Sequence, residues 1–228
     1  LHKTITGSVT YLDSTTLYSE ADSDGYIYTT GQTGVGGWSN NIYADTGSYM
    51  KTTTQDFLVY CRGASFGKTI TYYVSRGFLS FDVSALTSDF TCNSGQFFVR
   101  HYMSNAGVRN QLHLFKGTQA DSMSINDYSQ FQRHSSSRMA NFINMDDYSN
   151  TGSIYDSEFE YSIYNPSQAV WFSSSLLEHG LLDAASTASR WKVCLTSKSD
   201  DDTPYVNDNQ GSAGQNGLMS ADITGTDN

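Results

Sequence analysis

Apolar and polar residues alternate with a period of two along much of this chain, the pattern of half-buried β-strands. The first strand is expected over residues 5–12, with Ile5, Val9 and Tyr11 on one face and Thr6, Ser8 and Thr10 on the other. Gly25-Tyr26-Ile27-Tyr28-Thr29-Thr30 follows a turn at Asp22-Ser23-Asp24 and reads as the second. A glycine-rich stretch then runs from residue 31 to 37, ends at Trp38, and continues through Asn40, Asn41 and Asp45 to about residue 51. It is expected to be one extended loop, and long loops in compact domains are often binding surfaces. Further strands are expected over residues 57–62, 69–82, 96–103 and 111–116. Gly77, inside the longest of them, is expected to mark a bulge.

Residues 118–150 are polar and weakly periodic, with a short helical turn expected within 125–131. Residues 158–164 alternate cleanly, setting Phe159, Tyr161 and Ile163 against Glu158, Glu160 and Ser162. One helix is expected next. Asn165 can cap it, Pro166 suits its first position and Gly180 can end it. Val170, Phe172, Leu176 and Leu177 would form its apolar stripe. Residues 190–196 form a strand pattern with Trp191, Val193 and Leu195 on one face, followed by an acidic loop over 200–209 and a last strand within 217–223. Many short strands separated by turn clusters, with one short helix, predict an all-β fold: a two-sheet antiparallel jelly-roll β-sandwich. Strands and helices do not alternate, which excludes a parallel α/β sheet. No internal repeat divides the chain, so residues 1–228 are expected to be a single domain.

Composition sharpens this reading. Aromatics make up 14% of the 228 residues, and Tyr alone contributes 16, a bias that suits pleated surfaces. Charged residues make up only 16% and the net charge is −10. An acidic, Lys-poor chain repels phosphate backbones and anionic lipid, so nucleic acid and membrane surfaces are not expected partners. Apolar runs fall far short of the roughly 18 residues of a transmembrane helix, so no membrane insertion is expected. Cys61, Cys92 and Cys194 allow one internal bridge at most, and their pairing stays open; buried, unbridged side chains are the expected state. No usable Asn-x-Ser/Thr site occurs, since Asn165-Pro166-Ser167 carries the disallowed proline. The chain opens on Leu1 rather than Met, which fits a trimmed, exported product. The expected location is extracellular, on a cell surface or on a virion.

No catalytic signature occurs in the sequence in its usual structural context. There is no H-E-x-x-H or H-x-H pair, and His101 and His113 fall in predicted strands as ordinary sheet residues. Gly63-Ala64-Ser65-Phe66-Gly67 has the G-x-S-x-G spacing, but it falls between two expected strands and lacks the strand–turn–helix context of a nucleophile elbow. The glycines at 31, 34, 36 and 37 lack the spacing and strand–helix context of a dinucleotide site. Glu158 and Glu160 are neighbours on one strand face and read as a solvated surface rather than as a glycosidase pair. No catalytic residue is therefore assigned, and no enzyme is expected.

Two binding chemistries are compatible with the residues present. Ca²⁺ takes oxygen ligands, and oxygen-rich turns occur at Asp22-Ser23-Asp24-Gly25, Asp200-Asp201-Asp202 and Asn207-Asp208-Asn209. Asp22 and Asp24 are the first choice because they abut a predicted core strand. Sugar rings stack on exposed aromatic faces, and Trp38, Tyr43 and Tyr49 lie in the long polar loop. Trp171 and Trp191 fall in apolar stripes and are expected in the core.

One segment carries a resemblance. The stretch from Thr71 through Arg76-Gly77-Phe78-Leu79-Ser80-Phe81-Asp82-Val83-Ser84 to Leu86 resembles the central strand and exit turn of carbohydrate-binding-module-like jelly rolls of the DNRLRE type. Ser23-Asp24-Gly25-Tyr26-Ile27-Tyr28 is similar to that family's first core strand. Trp191-Lys192-Val193-Cys194-Leu195-Thr196-Ser197-Lys198-Ser199-Asp200 is similar to a late strand leading to a Ser/Asp-rich loop. The Asp-Asn-x-Leu-Arg motif that names the type is absent. The resemblance implies a jelly roll, often with one structural Ca²⁺, and a structural role for Arg76 and Asp82, pairing or capping turns. Such modules occur in polysaccharide-degrading enzymes, cell-surface proteins and phage structural proteins. The expected function is a non-catalytic structural or adhesive surface protein that assembles with copies of itself into a fibre, filament or array. Residues 1–12, through Ile5, Val9 and Tyr11, would be the strand exchanged with a neighbouring subunit. The alternative is a carbohydrate-binding module of a polysaccharide-degrading enzyme.

Overall fold

The computed structural model describes residues 17–19, 24–30, 37–52, 56–66, 69–84, 94–104, 112–131, 138–142, 170–176, 184, 189–197 and 215–219. These are mostly β-strand. In chain order the strands are β1 (Gly25–Thr30), β2 (Tyr49–Thr52), β3 (Asp56–Phe66), β4 (Thr69–Asp82), β5 (Gln96–Ser104), β6 (Leu112–Lys116), β7 (Arg138–Phe142), β8 (Val170–Ser175), β9 (Arg190–Ser197) and β10 (Gln215–Met219). A six-residue helix, α1 (Gly37–Ile42), and a 3₁₀ turn (Ile125–Ser129) complete the described elements. All described strand pairs are antiparallel. The hydrogen-bonded order is β7-β6-β9-β4-β3-β10-β5-β8, and β2-β1 branches from β4.

β4 organises the molecule. Its aromatic and β-branched run favours an extended, side-chain-packed strand, and residues 74–81 are buried on both faces. One edge is shared in sequence by two partners: Val74 pairs with Cys61 of β3, and Phe78 pairs with Cys194 of β9. The other edge belongs to β1, where Thr29 meets Val74 and Gly25 meets Phe78. Directly opposed residues share a face, so the even positions of β4 lie with Ile27 and Cys194, and the odd positions with Trp191, Val193 and Leu195.

The even face carries a core of Ile27, Ile42, Val74, Phe78, Met123, Tyr128 and Cys194. α1 and the segment of residues 117–131 cover it. Gly25 is required there, because a Cβ would collide with the Lys51 carbonyl oxygen and the Met123 methyl group. The odd face buries Leu79, Phe81, Trp191, Val193 and Leu195. Phe97 of β5 packs edge-on against it, its ring 5.8 Å from Phe81 and 6.3 Å from Trp191. β5 is hydrogen-bonded to neither β4 nor β9, so these rings meet between strands that are not ladder neighbours. β7 and β8, the two ends of the strand order, also meet. Each such fully buried side chain contributes roughly 1.5–3 kcal/mol.

Several expectations are matched and others corrected. Residues 69–82 form the expected strand, and β1, β3, β5, β6, β9 and β10 overlap the predicted ones. The 3₁₀ turn falls in the expected 125–131 window. The helix expected from Asn165 to Gly180 is not formed across its middle: Val170–Ser175 is β8, paired with β5 from His101↔Val170 to Gln96↔Ser175. A short apolar run fits either periodicity, and the available sheet edge decides between them. The stretch expected as one loop to residue 51 instead holds α1 and β2, anchored by contacts to β4 and β1. Gly77 marks no bulge, since its register is continuous with both Tyr26 and Leu195. The register shifts lie at Leu114/Phe115 and Gly217/Leu218. β7 was not expected. The strands predicted over 5–12 and 158–164 and the acidic loop over 200–209 lie outside the described residues. Trp191 is buried as expected, and Cys194 is a buried thiol.

Candidate functional site

The most elaborate polar arrangement among the described residues centres on Arg76, which is 1% exposed. Removing a guanidinium from water costs several kcal/mol unless its donors find acceptors. Nη1 donates to the Tyr128 carbonyl at 2.9 Å and Nη2 to the Ile42 carbonyl at 2.7 Å. The guanidinium carbon also lies 4.0 Å from the Tyr128 ring centre and 4.8 Å from that of Phe131, within cation–π range. One side chain thus binds the end of α1 and the 3₁₀ turn to the central strand.

Neighbouring groups extend this clamp. The Tyr128 hydroxyl donates to the Asn41 carbonyl at 2.9 Å and accepts from the Thr29 hydroxyl at 3.3 Å. Asn41 Nδ2 donates to the Tyr72 carbonyl at 3.2 Å. The buried Asp127 carboxylate accepts from the Ala120 amide at 3.0 Å, the Ser124 amide at 2.7 Å and the Ser124 hydroxyl at 3.1 Å. This closes a capping box around the 3₁₀ turn. Gly47 N–H donates to the Ile125 carbonyl at 2.7 Å, and the Ser129 hydroxyl donates to the Asp45 carbonyl at 3.0 Å. Residues 117–131 therefore form a strap laid over the even face and stitched to α1 and its exit.

Asp82 does not pair with Arg76. Six residues of extended strand separate them, about 20 Å. Asp82 is exposed and accepts the Ser84 amide at 2.8 Å, an Asx turn that ends β4. Hydrogen bonds from Ser84, and then the charge of Arg190, hold its carboxyl below the usual carboxylate range. Asp121 is held low in the same way, first by a hydrogen bond from Lys192, then by the charges of Lys192 and Arg190. The Lys192 ammonium lies 2.8 Å from Asp121 and donates to the Gln119 carbonyl at 2.7 Å, tying the start of the strap to β9.

The aromatic candidates divide between two sides of the sheet. Tyr49 pairs with Tyr28 in register, their ring centres 5.1 Å apart, and Tyr28 stacks on Tyr26 at 6.3 Å. This row runs from buried Tyr26 to Tyr49, which is 48% exposed at the end of β2. Tyr43 is 74% exposed and follows α1, whose Ile42 carbonyl is bound on the Arg76 side. The register of Tyr28 with Ser75 puts the tyrosine row on the opposite side. Tyr43 and Tyr49 therefore do not form one platform. Trp38 lies within α1. Exposed Phe98 and Tyr18 were not singled out from the sequence. The strict alternation of Phe97 and Phe98 in a strand was the signal available for Phe98.

Asp24, the first-choice ion ligand, is 1% exposed, and its Oδ1 accepts the Ser80 amide of β4 at 3.3 Å. It fastens the start of β1 to the central strand. Among the described residues no three His, Cys, Asp or Glu side chains gather where a metal ion would be held. Asp22 lies outside the described residues, as do Ile5, Val9 and Tyr11. No described helix is long and apolar enough to cross a membrane. His113 is buried in β6, its ring edge-on to Phe115 at 6.1 Å. No family model matches the chain, and neither does any curated protein.

Proposed function

We propose that this chain is a non-catalytic structural or adhesive protein of a cell or virion surface, a two-sheet jelly-roll β-sandwich that assembles with copies of itself. The observation that carries this reading is where the buried charge goes. The Arg76 guanidinium and the Asp127 carboxylate both end on backbone groups, binding a strap and a helix to the sheet rather than facing a substrate. The packing of Phe97 on Phe81 and Trp191, between strands that are not hydrogen-bonded neighbours, supports the two-layer architecture. The acidic surface and the Ser-, Thr- and Tyr-rich strands suit life outside cells. Assembly would use residues 1–12 as an added strand, with Ile5, Val9 and Tyr11 facing the neighbour.

The test is the size of the native material. Light scattering and electron microscopy of the intact chain are expected to show polymers or arrays. Deleting residues 1–12, or introducing Val9→Asp, is expected to leave monomers whose thermal unfolding is unchanged. Assembly that persists in both variants would overturn the proposal.

A second reading, a carbohydrate-binding module, is favoured by one observation: Tyr49 is half-exposed and backed by Tyr28, the arrangement a pyranose face stacks on. Titration calorimetry with soluble polysaccharides is expected to give saturable heats that Tyr49→Ala or Trp38→Ala abolishes. Heats that stay flat with the intact chain would reject it. A structural Ca²⁺ at Asp22 and Asp24 belongs to both readings. Its check is a Tm that rises with added Ca²⁺ and falls with a chelator, and that responds to neither in Asp22→Asn.

A further inference from the structure

We draw no further inference here: the strongest candidate, the exposed ring of Phe98 on the side of β5 turned away from Phe81 and Trp191, carries nothing because nothing in the structure shows what covers it.

Discussion

The two faces of β4 are buried by different physics. The odd face is closed by ring on ring: Phe97 of β5 packs on Phe81 and Trp191 of the β4–β9 pair. The even face has its own apolar core, but what lies on it is a helix and an irregular strap, whose backbone groups need partners. Arg76, Tyr128 and Asp127 supply them, and the Asn41 side chain ties α1 to the Tyr72 carbonyl of β4. Strands can be packed by apolar area alone, because their backbone is satisfied within the ladder. A covering of loops needs a polar clamp as well.

Five substitutions and a titration with acid test this contrast. The largest loss is expected from Trp191→Ala on the odd face, about 3–5 kcal/mol from lost transfer energy and the cavity left behind. Urea denaturation followed by circular dichroism measures it, and the whole sheet should unfold in one earlier transition. Arg76→Met comes next, at roughly 2–4 kcal/mol, because two buried carbonyls lose their donor. Its signature differs: amide exchange should accelerate in α1 and residues 117–131 before it does in β9. Arg76→Lys is not expected to restore protection, since a single ammonium cannot reproduce the planar fork that reaches both carbonyls. Equal acceleration across β9 and the strap would show that the clamp is not a separate layer of stability.

Tyr128→Phe keeps the ring over Arg76 and removes only the hydroxyl between Asn41 and Thr29. The expected cost is about 1 kcal/mol, read from the same denaturation curves. The smallest effect is that of acid. Asp121 and Asp82 have folded values below their unfolded ones. Their contribution is complete above the ordinary carboxylate value of about 4 and is lost as pH falls through the lower folded values. Lys192→Met should remove most of the Asp121 share of that acid sensitivity, leaving the part due to Arg190, and leave the Asp82 share, as judged by Tm against pH from 5 downward. An unchanged acid profile in Lys192→Met would show that the bridge to the strap contributes nothing.

Much of the sheet was legible because a strand buried on both faces leaves a dense mark. β4 carries Tyr72, Tyr73, Val74, Phe78, Leu79 and Phe81 in one run, and its bounds coincide with the expected 69–82. β8 was misread because Val170, Phe172, Leu176 and Leu177 fit a helical stripe, and Asn165-Pro166 looked like its cap. The edge of β5 that claims Val170–Ser175 is about 70 residues earlier in the chain and leaves no local trace. α1 was hidden for the opposite reason. Its sequence, GWSNNI, has little helix propensity, and it is held by β4 through Arg76 and the Tyr72 carbonyl.

The candidate sites follow the same division. Tyr43 and Tyr49 share one polar stretch of sequence, but Tyr43 follows α1, which covers the even face of β4, whereas the Tyr49 ring lies beside Tyr28, whose register with Ser75 places it with the odd face. Arg76 was expected to pair with Asp82 or cap a turn, but an extended strand keeps the two apart. Period-two alternation and β-branched, aromatic runs are local properties, and they are enough to mark this chain as a β-protein with a long, apolar central strand. What covers that strand, where the buried Arg76 finds its acceptors, and whether an ambiguous apolar run coils or extends are settled by the folded arrangement. Those choices depend on hydrogen-bond partners brought together from distant parts of the chain, which local spacing does not encode.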